Sequence, residues 1–153
     1  MSDFFEAYVE DIKDSRSYVR YGLEALFIAT CIYFIVRVNA LNKTLKSFYP
    51  EHNKPNVIEA QAIIWAYPAD VLGGFVIGLV LVFVSLYLGY NFISRSLSYN
   101  SLSLFVLFIL SLFVNIWFDF KIYQALNNPI LQIIYLILIG SVSIGIFSWL
   151  QNR

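Results

Sequence analysis

VLGGFVIGLVLVFVSLYLGYNF, residues 71–92, runs for 22 residues without one charged side chain. An α-helix rises about 1.5 Å per residue, so about 20 such residues cross the ~30 Å hydrocarbon core of a bilayer. Pro68 and Asp70 stand at the head of this run. Proline is tolerated in a first helical turn, and a carboxylate there complements the helix dipole. The stretch therefore reads as a membrane helix over 69–92.

Two further runs behave the same way. SLSLFVLFILSLFVNIWF predicts a span over 101–118, and ILQIIYLILIGSVSIGIFSWL predicts one over 130–150, started by Asn127, Asn128 and Pro129. Upstream, a shorter apolar run predicts a span over 18–36 that Arg37 stops. Short loops join the last three spans, so those neighbours are expected to run antiparallel. The expected fold class is all-α: a polytopic integral membrane protein, a bundle of four transmembrane helices with one or two short amphipathic surface helices. The amphipathic N-terminal helix occupies 1–17, and the membrane domain occupies 18–153.

Composition agrees. Apolar residues make up 59% of the 153 and charged residues 13%. A chain of this length has too little interior to hide that much apolar surface, so lipid must cover it. Net charge is zero, which leaves no basic field for nucleic acid. Cys31 and His52 are the sole cysteine and histidine. An internal disulfide, a Cys/His zinc or iron–sulfur site and a bis-histidine haem are thereby excluded within one copy. The acidic start does not read as a cleaved signal peptide, which would open with basic residues.

Between the first two spans, 37–68 form the main polar region. Val38, Leu41, Leu45 and Phe48 continue a helical stripe until YPEHNKPN, 49–56, breaks it. Asn56 with Glu59 three residues on is a capping box for a surface helix, to which Ile58, Ala62, Trp65 and Ala66 lend an apolar side. At the N-terminus Phe4, Phe5, Tyr8, Val9 and Ile12 share a helical face opposite an acidic one, with Ser2 or Asp3 as cap. That helix is expected to dock on a neighbouring protein or on this chain's own bundle. Trp65, Trp117 and Trp149 are expected interfacial anchors. In a four-span topology Lys13, Arg16, Arg20, Arg95 and Arg153 share one side and Arg37, Lys43, Lys46, Lys54 and Lys121 the other, giving the positive-inside rule no bias.

Function is harder to read. Gly74, Gly78, Ser85 and Gly89 line one face of the second span, and Gly140, Ser141 and Gly145 one face of the fourth. Small residues let helices approach closely, within the chain or between subunits, or beside a lipid or quinone. Intramembrane carboxylates are costly and are functional candidates by default. Glu24 has Arg20 one turn before it and is expected to pair with it at a helix end. Asp70 is explained by its helix start. Asp119, beside Asn115 and Trp117, is the least explained. Asp70, Asp119 and His52 form a weak candidate metal set, with no spacing motif behind it. Cys31, mid-helix in an apolar run, is expected to be an inert thiol.

Residues 67–78, YPADVLGGFVIG, resemble the final motif of the type 2 phosphatidic-acid phosphatases. That motif has a histidine before its Tyr-Pro, where this chain has Ala66, and the family's upstream basic motifs have no counterpart. Phosphatase activity is therefore not expected. DFKIYQALNNPIL, 119–131, is similar to a pattern in uncharacterised small archaeal and bacterial membrane proteins, which implies no activity.

The leading expectation is a small non-catalytic subunit of a larger membrane complex, of respiratory or other redox type, sitting in a prokaryotic plasma membrane with other membrane subunits as partners. The alternative is a small homo-oligomeric transporter or channel. It requires a polar stripe through the bilayer, for which Thr30, Ser85, Asn115, Ser141 and Ser143 are the mid-span residues. The second alternative is a membrane enzyme subunit with a carboxylate/His metal site on the 37–68 side.

Overall fold

The computed structural model describes residues 2–13 and 15–151, and the side chains of all of these except 2–4, 15, 16, 146, 147 and 149–151. Among the described residues six α-helices follow one another: α1 (Ser2–Ile12), α2 (Ser15–Leu45), α3 (Val57–Ala66), α4 (Pro68–Tyr99), α5 (Leu102–Ala125) and α6 (Pro129–Gln151). A 3₁₀ turn, Lys46–Phe48, closes α2. Among the described residues 89% are helical and none lies in a strand. Among the described residues three stretches are long and apolar enough to cross a bilayer: Ser17–Phe48, Pro68–Tyr99 and Leu102–Ala125. The fourth expected span falls on α6, whose described apolar part, Pro129–Gly145, is shorter.

Helices outrun the apolar runs that predict them. Past Arg37, where the first apolar run stops, α2 carries on to Leu45 and the 3₁₀ turn to Phe48, along the stripe of Val38, Leu41, Leu45 and Phe48. α5 passes 118 and ends at Ala125, and α4 passes 92 and ends at Tyr99. Helix propensity does not stop where hydrophobicity does: Lys, Arg, Gln and Ser continue the backbone ladder outside the hydrocarbon. The ends are chemical. Asn100 (φ 49°) and Asn127 (φ 38°) take the left-handed conformation that closes a helix. Asparagine tolerates it because its short amide bonds locally.

Two units compose the chain. Unit 1 comprises 1–35 and 80–122; unit 2 comprises 36–79 and 123–153. In unit 1 the core is built from Phe27 and Phe34 of α2, Val82 and Phe92 of α4, and Leu104, Leu107 and Ile122 of α5. Here α1 departs from expectation. Its apolar residues Phe5 and Val9 stay exposed, and polar groups hold it instead. The Asp11 carboxylate accepts from the Ser101 hydroxyl (2.6 Å) and the Ser103 amide (2.8 Å). That amide is one of the unpaired donors at the start of α5, so Asp11 caps a helix 90 residues away in sequence. Tyr8 and Tyr21 hydroxyls meet at 3.0 Å, and Tyr21 donates to the Ser103 carbonyl.

In unit 2, α3 packs on α6. Its predicted capping box forms: Glu59 N donates to Asn56 Oδ1 at 2.9 Å and Asn56 N to Glu59 Oε2 at 2.7 Å. Ala60 and Ile63 are buried, whereas Ile58 and Trp65 lie open, Trp65 at 78% exposure. α3 is apolar on both sides, so spacing alone could not choose between them. Asn128 joins the two helices: its Oδ1 accepts from Ile130 N and Leu131 N at the head of α6, and its Nδ2 donates to the Ala60 carbonyl. Buried Tyr49 accepts from Asn127 Nδ2 at 3.0 Å, and burial raises its phenol pKa against that bond.

Candidate functional site

Unit 1 holds its polar side chains on the inside. Glu24 of α2 is 6% exposed, and neither of its carboxylate oxygens has a partner in full hydrogen-bond geometry, although Ser111 and Asn115 stand close enough to interact with it. The expected bond to Arg20 is therefore not made. Ser111 and Asn115 of α5 are the side chains that act on the carboxylate. They are 1% and 4% exposed, and Asn115 Nδ2 donates to Ser111 Oγ at 2.8 Å. Asn115 Oδ1 is buried and unpartnered as well.

The helical periods explain this convergence. Glu24 and Cys31 are seven apart, so they share one face of α2 about 10 Å apart along its axis. Ser111, Asn115 and Asp119 are spaced by four and share one face of α5. Cys31 is fully buried, and its thiol feels the charges of both Asp119 and Glu24. Asp119 is not at a helix end as expected: α5 continues for six residues beyond it, to Ala125. Its Oδ2 accepts from Ser85 of α4 at 3.3 Å. Two carboxylates, a thiol, two hydroxyls and an amide thus lie within one membrane-spanning unit.

In hydrocarbon such groups are expensive. An unpaired carboxylate away from water costs several kcal/mol or more, so a buried one is neutralised by a proton or by a cation.

The other expected residues fall elsewhere. Gly78 in unit 2 and Ser85 in unit 1 are buried, whereas Gly74 and Gly89 are half-buried. A Cβ on Gly74 would meet Val38 Cγ2 at 3.9 Å, an ordinary contact, and one on Gly89 would meet nothing within 4 Å. Gly140, Ser141 and Gly145 occupy an open part of α6, where a Cβ on either glycine also meets nothing. Of the other mid-span polar residues, Thr30 and Ser141 bond carbonyls of their own helices, Leu26 and Ile137. Trp117 is exposed, with Lys121 Nζ 5.7 Å from its ring centroid, an arrangement suited to a headgroup boundary. The side chain of Trp149 lies outside the described residues.

Asp70 is exposed in the first turn of α4 and borders a cavity of about 20 Å³, room for one water, between Asn42, Tyr49, Asn127 and Asn128. His52 is exposed in the loop, where its carbonyl accepts from Lys46 Nζ. Among the described residues no group of three or more His, Cys, Asp and Glu side chains is placed to hold a metal ion. Sequence reasoning assigned Glu24 to an interfacial ion pair because Arg20 stands one turn away. The signal that could have found it is the shared period of Glu24 with Cys31 and of Ser111 with Asn115 and Asp119. No known protein family matches the chain, and no characterised protein or solved structure is similar to it.

Proposed function

We propose that this chain is a small integral membrane protein that carries a monovalent cation across the bilayer, with Glu24 as the group that binds it. In this reading α6 serves as a fourth span beside α2, α4 and α5. One observation carries the proposal: Glu24 is buried in a membrane-spanning helix with both carboxylate oxygens unpartnered. Natural chains rarely keep an ionisable group there unless its charge is used. Asp119 with Ser85 supplies a second polar station about two turns further along the helices.

The test is cation flux in vesicles of phosphatidylcholine and phosphatidylglycerol containing the purified chain. Flux should be present, should fall at least tenfold in Glu24→Gln, and should be reduced in Asp119→Asn. Vesicles that stay as tight as protein-free ones would overturn the reading.

A second reading has its own observation. The small-residue face of α6 at Gly140 and Gly145 is open, with room for another helix. It supports a supporting subunit of a larger membrane assembly, of redox type, with lipid or quinone at the helix faces. Native-gel migration after mild detergent extraction separates the two: co-migration with unrelated large subunits supports this reading, and a small homo-oligomer supports the carrier.

A further inference from the structure

The oxygens around Glu24 can be counted, and the count bears on which cation binds. Among the buried side-chain oxygens of the cluster, those without a partner are Glu24 Oε1, Glu24 Oε2 and Asn115 Oδ1. Ser111 Oγ is also adjacent but already accepts from Asn115. A hard metal cation stripped of water needs about six oxygens around it. Three open oxygens from two side chains supply half of that, without solvent to complete the shell. A single proton needs far less. It turns the carboxylate into a carboxyl with one O–H donor and a remaining acceptor. That donor matches the open Asn115 Oδ1, and the remaining Glu24 oxygen matches the Ser111 hydroxyl hydrogen.

We infer that the Glu24–Ser111–Asn115 cluster is a proton-binding site rather than an alkali-metal site, with Glu24 taking up and releasing one proton. This rests on the reading that Glu24 binds the transported ion. The proton comes from water on one side and returns to water on the other, and no covalent bond to carbon changes. The titratable groups around the cluster are Cys31 on α2 and Asp119 on α5. α4 contributes the uncharged Ser85, and the α1 groups Tyr8 and Asp11 are engaged at Tyr21, about one turn from Glu24, and at Ser103, about two turns from Ser111. Asn115 places the carboxyl, because its amide is the one side chain that can both donate to Ser111 and accept from a protonated Glu24.

Dicyclohexylcarbodiimide tests this on the full wild-type chain in lipid nanodiscs, so no variant has to fold. The reagent partitions into lipid and adds across a protonated carboxyl to form a stable N-acylurea, which peptide mass spectrometry locates. Glu24 should be labelled. The rate should fall about tenfold per pH unit once the carboxyl is mostly ionised, and should not change when choline is replaced by sodium or potassium. Protection by sodium or potassium would overturn the inference, and so would the absence of labelling at Glu24 at every pH. Labelling as expected in a chain without flux would leave the proton site standing and sink the transport reading alone.

Discussion

Replacing Asp11 should release α1 without disturbing the rest of unit 1. The carboxylate caps α5 through the Ser103 amide and receives the Ser101 hydroxyl, at 2.8 and 2.6 Å. Losing an N-cap acceptor costs about 0.5–2 kcal/mol, typically near 1. The favourable placement of a negative charge at a helix start adds about 0.3–1 kcal/mol, towards the lower end for a half-exposed group. Asp11→Ala should therefore cost about 1–2 kcal/mol, which multiplies the population of detached α1 by about 5–30. Asp11→Asn keeps one acceptor and loses the charge, so its effect should be smaller. The pH dependence has a definite sign. Burial alone would raise the Asp11 carboxyl, but the bonds from Ser101 and Ser103 outweigh it and hold the pKa below its ordinary value. The stabilisation is thus fully present above the unfolded carboxyl pKa of about 3.9 and is lost as pH falls through the lower folded value. Hydrogen exchange of the α1 amides in nanodiscs measures all of this. Equal protection of α1 in wild type and Asp11→Ala would refute the capping argument, as would release of α1 between neutral pH and pH 5.

Asn128→Ala should cost about 1–2 kcal/mol, because it removes the α6 cap and the bond to the Ala60 carbonyl together. Thermal unfolding in mild detergent should show a midpoint several degrees lower, and an unchanged midpoint would contradict the network. Gly89→Ala should be neutral or stabilising by up to about 1 kcal/mol, since the added methyl meets nothing within 4 Å and alanine is the better helix former. Destabilisation of the assembled form alone would instead mean that another subunit packs there. Asn100→Gly should retain or raise stability and Asn100→Val should lower it by about 1–2 kcal/mol, because φ is 49° at this position; equal unfolding midpoints for the two variants would argue against that backbone conformation.

Local chemistry was legible in the sequence. Apolar runs longer than a bilayer is thick predicted three of the long helices. Pro68 at the head of α4, the Asn56–Glu59 capping box and the Asn128 start of α6 are all read within a few residues. The α4 and α5 ends were not, because hydropathy marks the edge of lipid rather than the end of a backbone ladder. Orientation about each helix axis was harder still. Ile58 and Trp65 form as good a stripe as Ala60 and Ile63, and the residues that meet α6 decide which turns inward.

Sequence alone determined that this chain has helices long and apolar enough to cross a bilayer, because that follows from the apolar residue count and the length of uncharged runs. It also determined which chemistry one cysteine and one histidine exclude. Tertiary structure decided the fate of Glu24. Arg20 is its nearest partner along the chain, yet packing turns the carboxylate towards Ser111 and Asn115, nearly 90 residues away. Chain neighbours compete for a side chain only through local geometry, whereas helix packing removes water from one whole face at once, and that desolvation sets which polar groups must meet.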